Sequence, residues 1–409
     1  MKRPTILQII PDLDTGGAER TTVEIAGAIV AAGGRAIVLS EGGRMEGDLA
    51  AAGGEFVRFA AATKNPAKLL ANAHAIARLI EREGVDLVHA RSRAPAWSAL
   101  AAARRTGRPF VTTYHGAYNE AGAAKKLYNS VMARGDLVIA NSNFTADLVR
   151  ARYATPADRI RVIHRGVDGA IFDPGRIAPE RVAALRAAWG VRDGERVVLQ
   201  AARLTSWKGQ GVLIEAARLL RDAPGDPGQD TVIVLAGDAQ GREDYARALA
   251  QQIATAGLGD RVRLVGHVSD IPAAFAASYL GVVPSTEPEA FGRAAAESQI
   301  MRCPVIATAI GAPQETVLTR ENSGSDRRTG WLVAAGDARA LADALREGLT
   351  LPPEEHARIG ARARTNVIER FSLRAMRAKT LSVYDELLDT RLAAAFMTAA
   401  ERAEAAANS

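Results

Sequence analysis

The sequence predicts an α/β protein with two doubly wound parallel sheets, one in each half of the chain. Three observations predict it. Short apolar runs alternate with longer stretches of helical periodicity along most of the chain, the pattern of a strand–helix–strand series. At 409 residues the chain exceeds one ordinary hydrophobic core and divides most simply in two. The loops richest in glycine, cations and acids follow directly on apolar runs, where an open parallel sheet carries its functional groups.

In the first half the run Thr5–Ile10 leads through Pro11–Gly17 into a helical pattern at Val23–Ala32. Gly16 and Gly17 bend the chain at that helix start, a geometry that lets backbone amides approach a phosphate. The G-x-G-x-x-G of a dinucleotide site is absent, and Glu19 in the first turn complements the helix dipole. Asp12 and Asp14 have no third ligand in view and are not read as a metal site. Further strands are expected at Ala36–Leu39, Phe56–Phe59, Leu87–Ala90, Phe110–Thr113, Leu137–Asn141 and Arg161–His164. Three loops at their ends are polar: His89–Arg93, Tyr114–Tyr118 and Asn141–Asn143. His115, between tyrosines and before a glycine, is the functional candidate among them.

The stretch Gly169–Pro179 reads as the link between a first domain, residues 1–172, and a second, residues 190–370. In the second, the strand Arg196–Gln200 passes through a loop holding Arg203 and Lys208 to a helix at Gln210–Arg221. A cation beside a helix N-terminus is unfavourable by ~0.3–1 kcal/mol unless an anion answers it, so Arg203 and Lys208 read as clamps on a diphosphate. Thr231–Ala236, Val262–Val265, Leu280–Pro284 and Val305–Thr308 continue the sheet, and Gly330–Val333 ends this half. The decisive stretch is Ser285–Pro304. A polar loop with Glu289 meets Phe291 and Gly292, and a helix begins at Arg293 and carries Glu297. Eight helical residues would part the two acids by roughly 12 Å, the reach of a nucleoside diphosphate sugar. Read alone, the pair could equally be surface acids. A helix at Leu373–Leu388 is expected to pack back on the first domain, and the Ala-rich tail Ala393–Ser409 to be frayed.

Composition narrows the function. No apolar run reaches the ~18 residues of a membrane span, and the early Pro11-Asp12 argues against a signal peptide. The single cysteine, Cys303, excludes an internal disulfide, fits a reducing cytosol and reads as a packing residue. Residues 58–134 hold 13 Lys or Arg against 4 acids, a local +9 in a chain of net +6. A basic first domain implies an anionic partner. Without interleaved aromatics nucleic acid is the weaker choice, and a membrane surface or anionic glycolipid the stronger.

Gly16-Gly17-Ala18-Glu19-Arg20, Arg203 with Lys208-Gly209, and Glu289-Ala290-Phe291-Gly292 with Glu297 occur in an order that resembles family 4 of the retaining glycosyltransferases. The resemblance covers residues 3 to about 390 and implies a GT-B fold, two Rossmann-like domains facing a central cleft. It implies that Arg203 and Lys208 bind the diphosphate of a UDP- or GDP-sugar. Glu289 would meet the sugar hydroxyls with the Phe291 and Gly292 amides, and Glu297 the ribose. Gly17 would bring its amide to the phosphate, His115 would lie near the reacting centre, and His267 and Val268 would contact the base. Tyr118, Lys125 and Lys126 would belong to the acceptor side. One departure stands out: Arg302 occupies a turn where members often carry glycine. The expected reaction moves a hexose to a glycolipid or oligosaccharide, as in lipopolysaccharide or envelope glycan synthesis. It needs no cofactor and no metal, and proceeds in the cytoplasm at the inner face of the membrane. The competing readings are a nucleotide-sugar epimerase, a binding subunit without turnover, and an NAD oxidoreductase.

Overall fold

The computed structural model describes residues 3–407 apart from Thr15, Lys64, Ala117 and residues 119–121. The chain forms two compact units, residues 1–166 with 374–409 (unit 1) and residues 167–373 (unit 2). Unit 1 is built on seven strands: β1 (Thr5–Ile9), β2 (Arg35–Ser40), β3 (Glu55–Arg58), β4 (Leu87–Ala90), β5 (Phe110–Tyr114), β6 (Leu137–Ala140) and β7 (Ile160–Val162). They lie in the order β3-β2-β1-β4-β5-β6-β7, all parallel. Every residue of β1, β4, β5 and β6 is buried, which is why those segments read as mainly apolar runs. Ile9 pairs with Ala90, so the chain leaves β1 and β4 side by side.

Helix α1 (Gly17–Ala31) buries Val23, Ile25, Ala26 and Ile29. Helix α2 (Pro66–Glu83) starts at Asn65, whose side chain accepts from the amides of Ala67 and Lys68, with Pro66 fitting the first turn. Helix α3 (Arg93–Thr106) joins α2 to α4 (Ala123–Asn129): Ser98 Oγ donates to Leu69 O at 3.0 Å, and Trp97 Nε1 to Tyr128 O at 3.1 Å.

Unit 2 holds six parallel strands, β8 (Arg196–Ala201), β9 (Thr231–Ala236), β10 (Val262–Gly266), β11 (Leu280–Val283), β12 (Val305–Thr308) and β13 (Gly330–Val333). Their order is β10-β9-β8-β11-β12-β13. Each unit therefore reverses direction beside its first strand, between β1 and β4 and between β8 and β11. These are the switch points at which open α/β sheets hold ligands. Helices α5 (Gln210–Arg221) and α6 (Arg293–Ile300) leave the switch point of unit 2.

Helix α7 (Leu373–Leu388) returns the chain to unit 1, where the Tyr384 hydroxyl meets buried His89 Nδ1 at 2.7 Å. The tail departs from expectation. Instead of fraying it forms α8 (Leu392–Ala407), which packs on α1 and buries Leu392 and Phe396. Alanine is the best helix former, and two apolar residues one turn apart are enough to dock the helix.

The basic stretch of unit 1 is also less of a face than its composition suggests. Arg58, Arg82, Arg104 and Arg108 are paired with Glu46, Glu83, Asp136 and Asp86. Arg91 is buried, and Arg93 and Arg134 lie over the Tyr118 and Trp97 rings. Lys68, Arg78, Arg105, Lys125 and Lys126 are the exposed remainder among the described residues. Among the described residues no helix is long and apolar enough to cross a membrane.

Candidate active site

At the switch point of unit 2 the loop after β8 is pressed against the end of β11. Gly209 makes this possible: its φ is +74°, and a Cβ there would stand 1.9 Å from the Pro284 carbonyl oxygen. The Thr286 amide donates to Trp207 O at 2.8 Å and Gln200 Nε2 to Lys208 O at 2.7 Å, fixing the loop from both sides. Lys208 lies over the Trp207 ring, 4.2 Å from its centroid. Its Nζ reaches Glu289 Oε1 at 2.5 Å, and the same oxygen accepts Ser285 Oγ at 2.7 Å. No acid lies within six residues of Lys208 in the sequence. The fold supplies one, 81 residues later. The side chains are 19% and 10% exposed, so removing the lysine strands a mostly buried carboxylate. Arg203, by contrast, is exposed and has no ion-pair partner among the described residues; its neighbours Leu204 and Thr205 are buried and anchor the loop.

Helix α6 begins at Gly292, at φ +75°, and no side chain caps it, so its first amides keep the capacity to bind an anion. Phe291 is buried edge-on against Phe371, ring centres 5.7 Å apart, and holds that start in place. Glu297 is buried on α6 and accepts from Arg293 Nε at 2.6 Å. Burial pushes its carboxyl above the usual range, with Arg293 opposing. His267 is exposed and Val268 half-buried at the end of β10, where both line a cavity of about 750 Å³ with Trp189, Arg263 and Asp270. A second cavity, of about 780 Å³, runs beside β13 between Arg320, Arg328, Trp331 and Glu347 and contains none of the predicted residues. Arg302 adopts φ +59°, so the helix end does need the left-handed conformation that arginine tolerates poorly. Cys303 is buried, its thiol pushed up to about 12.

In unit 1 the predicted groups gather at the β1/β4 switch point. Gly16 precedes α1 without a side-chain cap, and the Glu19 carboxylate folds back beside it, 2.1 Å from where a Gly16 Cβ would stand. That is the dipole-complementing role expected of Glu19. His115 leaves β5 with Nδ1 3.0 Å from Arg165 Nη2. Two other expectations change. His89 belongs to no surface loop: it is fully buried, with Nδ1 on Tyr384 and Nε2 on Thr113 Oγ1, both at 2.7 Å. Ser142 caps the following helix by accepting from the Thr145 amide, so that loop is structural. Asp14 is taken up by Arg44 at 3.8 Å, and no group of three potential metal-ligating side chains occurs among the described residues. Sequence reading missed Arg91 and Arg165. Arg91 is 2% exposed with Nε and Nη2 unpartnered, and Arg165 half-buried against His115 and Gly17. Neither lies in a local motif; only the fold joins them to the site.

Known proteins are similar to this chain in sequence and in fold. Residues 15–170 match Glycosyltransferase Family 4 and residues 182–366 match Glycosyl transferases group 1. A D-inositol 3-phosphate glycosyltransferase of Kineococcus radiotolerans is 30% identical over 343 residues, covering 78% of this chain and 75% of its own. The chain belongs to glycosyltransferase family 4. A crystal structure of a glycosyltransferase from Rickettsia africae superposes with a TM-score of 0.86 at 35% identity, covering 96% of this chain and 100% of that one. The Anabaena protein HepE, crystallised with UDP and glucose, superposes at 0.79 with 26% identity over 94% of this chain and 100% of its own. As in other transferases of this family with the GT-B architecture, the two sheets are separate Rossmann-like domains.

Proposed function

We propose that this enzyme transfers a hexose, with retention of configuration, from a nucleoside diphosphate sugar to a glycolipid or oligosaccharide acceptor. The observation that carries the reading is the switch point of unit 2. The exposed cation Arg203, the Lys208–Glu289 pair and the uncapped start of α6 stand together there, and Glu297 lies one turn into the helix. Cations and helix amides stabilise charge growing on a departing diphosphate. Glu289 suits hydroxyls of the sugar, Glu297 those of the ribose, and His267 with Val268 the base; on unit 1, Gly16, Gly17 and His115 complete the assignment. HepE, bound to UDP and glucose, supports such a donor. Arg203 and Lys208 take the part of a divalent ion, so the reaction runs without metal or cofactor.

Two exposed leucines support the lipid side of the reading. Leu70 on α2 and Leu127 on α4 are 62% and 59% exposed, flank α3, and stand near Lys68, Lys125 and Lys126. Apolar tips ringed by lysine suit reversible docking on an anionic membrane, each cation contributing about 1 kcal/mol. The enzyme then works at the cytoplasmic face, in lipopolysaccharide or envelope glycan synthesis. A soluble phosphorylated polyol is the second reading of the acceptor, favoured by the names of relatives such as the Kineococcus enzyme.

The test is nucleotide release from a panel of UDP- and GDP-sugars in the presence of EDTA, with lipid and soluble acceptors, alongside sedimentation with anionic and neutral vesicles. Release from one donor, raised by a lipid acceptor, with salt-sensitive binding to anionic vesicles alone, is expected. No release from any donor would overturn the transferase chemistry. Equal or absent binding to both vesicle types would leave the soluble acceptor.

A further inference from the structure

Arginine only donates hydrogen bonds. The His115 Nδ1 facing Arg165 Nη2 at 3.0 Å must therefore be the nitrogen with the lone pair. A neutral ring then carries its proton on Nε2. That atom is shielded from solvent and has no partner among the described residues, although buried polar groups are nearly always bonded. The loop around the ring is held independently: Asn141 Nδ2 donates to His115 O at 3.4 Å, and Tyr118 packs on Tyr114 with ring centres 4.6 Å apart. Arg165 itself is placed by α1. A Cβ on Gly17 would stand 1.9 Å from its Nη1, so glycine is what lets the guanidinium lie against the helix start.

We propose that Arg165 is a positioning residue that fixes His115 as a neutral ring donating only through Nε2, toward an oxygen of the bound substrate. The inference rests on the glycosyltransferase reading for the identity of that substrate, and on unit 1 alone for the state of the ring. It gives His115 a definite duty. With its lone pair occupied, the ring orients or polarises a substrate oxygen and removes no proton. The charged and titratable groups around it agree. Burial, then Arg165, Arg91 and His89, hold its pKa well below the ordinary value. Tyr118 is pushed up to about 12 by burial and stays neutral. The Glu19 carboxylate lies beside Gly16 at the α1 start.

The experiment follows the ring and the reaction separately. In uniformly labelled protein without substrate, nitrogen-15 spectra of the His115 ring, assigned by its loss in His115→Asn, should show a bare Nδ1 and a protonated Nε2 that do not titrate between about pH 8 and 6. Arg165→Leu should let the ring titrate in that window and lower kcat for UDP release from UDP-glucose about tenfold, with KM changed little. Arg165→Lys and Arg165→Gln, which keep a donor, should recover most of both. Should Arg165→Leu fail to fold, Gly17→Ala displaces the guanidinium and should free the ring in the same way. A protonated Nδ1 or a charged ring in the wild type at neutral pH overturns the proposal. So does a loss of kcat in Arg165→Leu with the ring spectrum unchanged, since Arg165 would then act on the substrate directly. If UDP-glucose is not turned over at all, the spectra still decide the ring's state, and the donor panel decides whether the transferase reading or only the choice of donor is at fault.

Discussion

The switch points of the two units share a strand order and hold their charges in opposite ways. In unit 2 the buried carboxylates Glu289 and Glu297 each face a cation, Lys208 and Arg293. In unit 1, among the described residues, the buried guanidinium of Arg91 keeps two nitrogens without a partner, and the His115 ring keeps one. A ligand arriving at unit 2 must exchange existing ion pairs for its own. A ligand oxygen arriving at unit 1 adds bonds where none exist. Partner exchange suits a site that grips and releases a highly charged diphosphate; waiting donors suit discrimination between neutral sugars, which differ in where an oxygen stands.

Lys208→Ala breaks the comparison hardest. It should lower turnover about a hundredfold, the ~3 kcal/mol of one preorganised charge on the leaving group. It should also lower the free energy of unfolding by about 3 kcal/mol, because Glu289 is left without its cation. Glu289→Gln in that background should restore the urea midpoint and leave the activity lost. A normal midpoint in Lys208→Ala would show that the pair carries no strain when broken. Arg203→Ala sharpens the contrast within the same loop. The side chain is exposed, so turnover should fall about tenfold or more while the melting temperature stays put.

Acid separates the units. Burial holds His89 and His115 below the ordinary histidine value, so the unfolded chain takes up protons first. Their stabilisation is complete above about pH 6.5 and declines as pH falls below it, by up to ~1.4 kcal/mol per pH unit for each ring. Glu297 runs the other way: its raised carboxyl keeps a proton longer in the folded state, so its contribution is lost as pH rises above the ordinary 4.5. Urea midpoints between about pH 5 and 7 should therefore rise with pH overall, and more steeply in Glu297→Gln than in the wild type. A flat profile in the wild type, unaltered by His89→Asn, would contradict the buried, neutral histidines. The smallest effect is Arg302→Gly, which relieves a left-handed arginine and should raise stability by about 1 kcal/mol, read as a higher melting temperature with unchanged activity.

Much of the fold was legible in the sequence because parallel strands buried on both faces announce themselves as apolar runs. Gln210–Arg221 and Val305–Thr308 begin and end where periodicity places them. The turn at Arg302 was legible too, from a position where glycine is the easier residue. The tail Leu392–Ala407 was not: its alanines look like low complexity, and the burial of Leu392 and Phe396 depends on α1, far away in the chain. The partnership of Lys208 with Glu289 was hidden for the same reason, although each residue was singled out. Arg165 had no local signal at all, because its meaning lies in His115, 50 residues earlier.

The hydrogen bond between His89 and Tyr384 joins residues 295 positions apart. Unit 2 is one uninterrupted stretch of chain, whereas unit 1 is interrupted by the whole of it. A ribosome adding ~5–20 residues per second needs roughly ten to forty seconds to make residues 167–373. Throughout that interval the first sheet waits without α7 and α8, with His89 Nδ1 unanswered and α1 without its contact to α8. The newborn chain thus finishes its second domain before its first, whose seven strands are made early and whose last two helices come at the end.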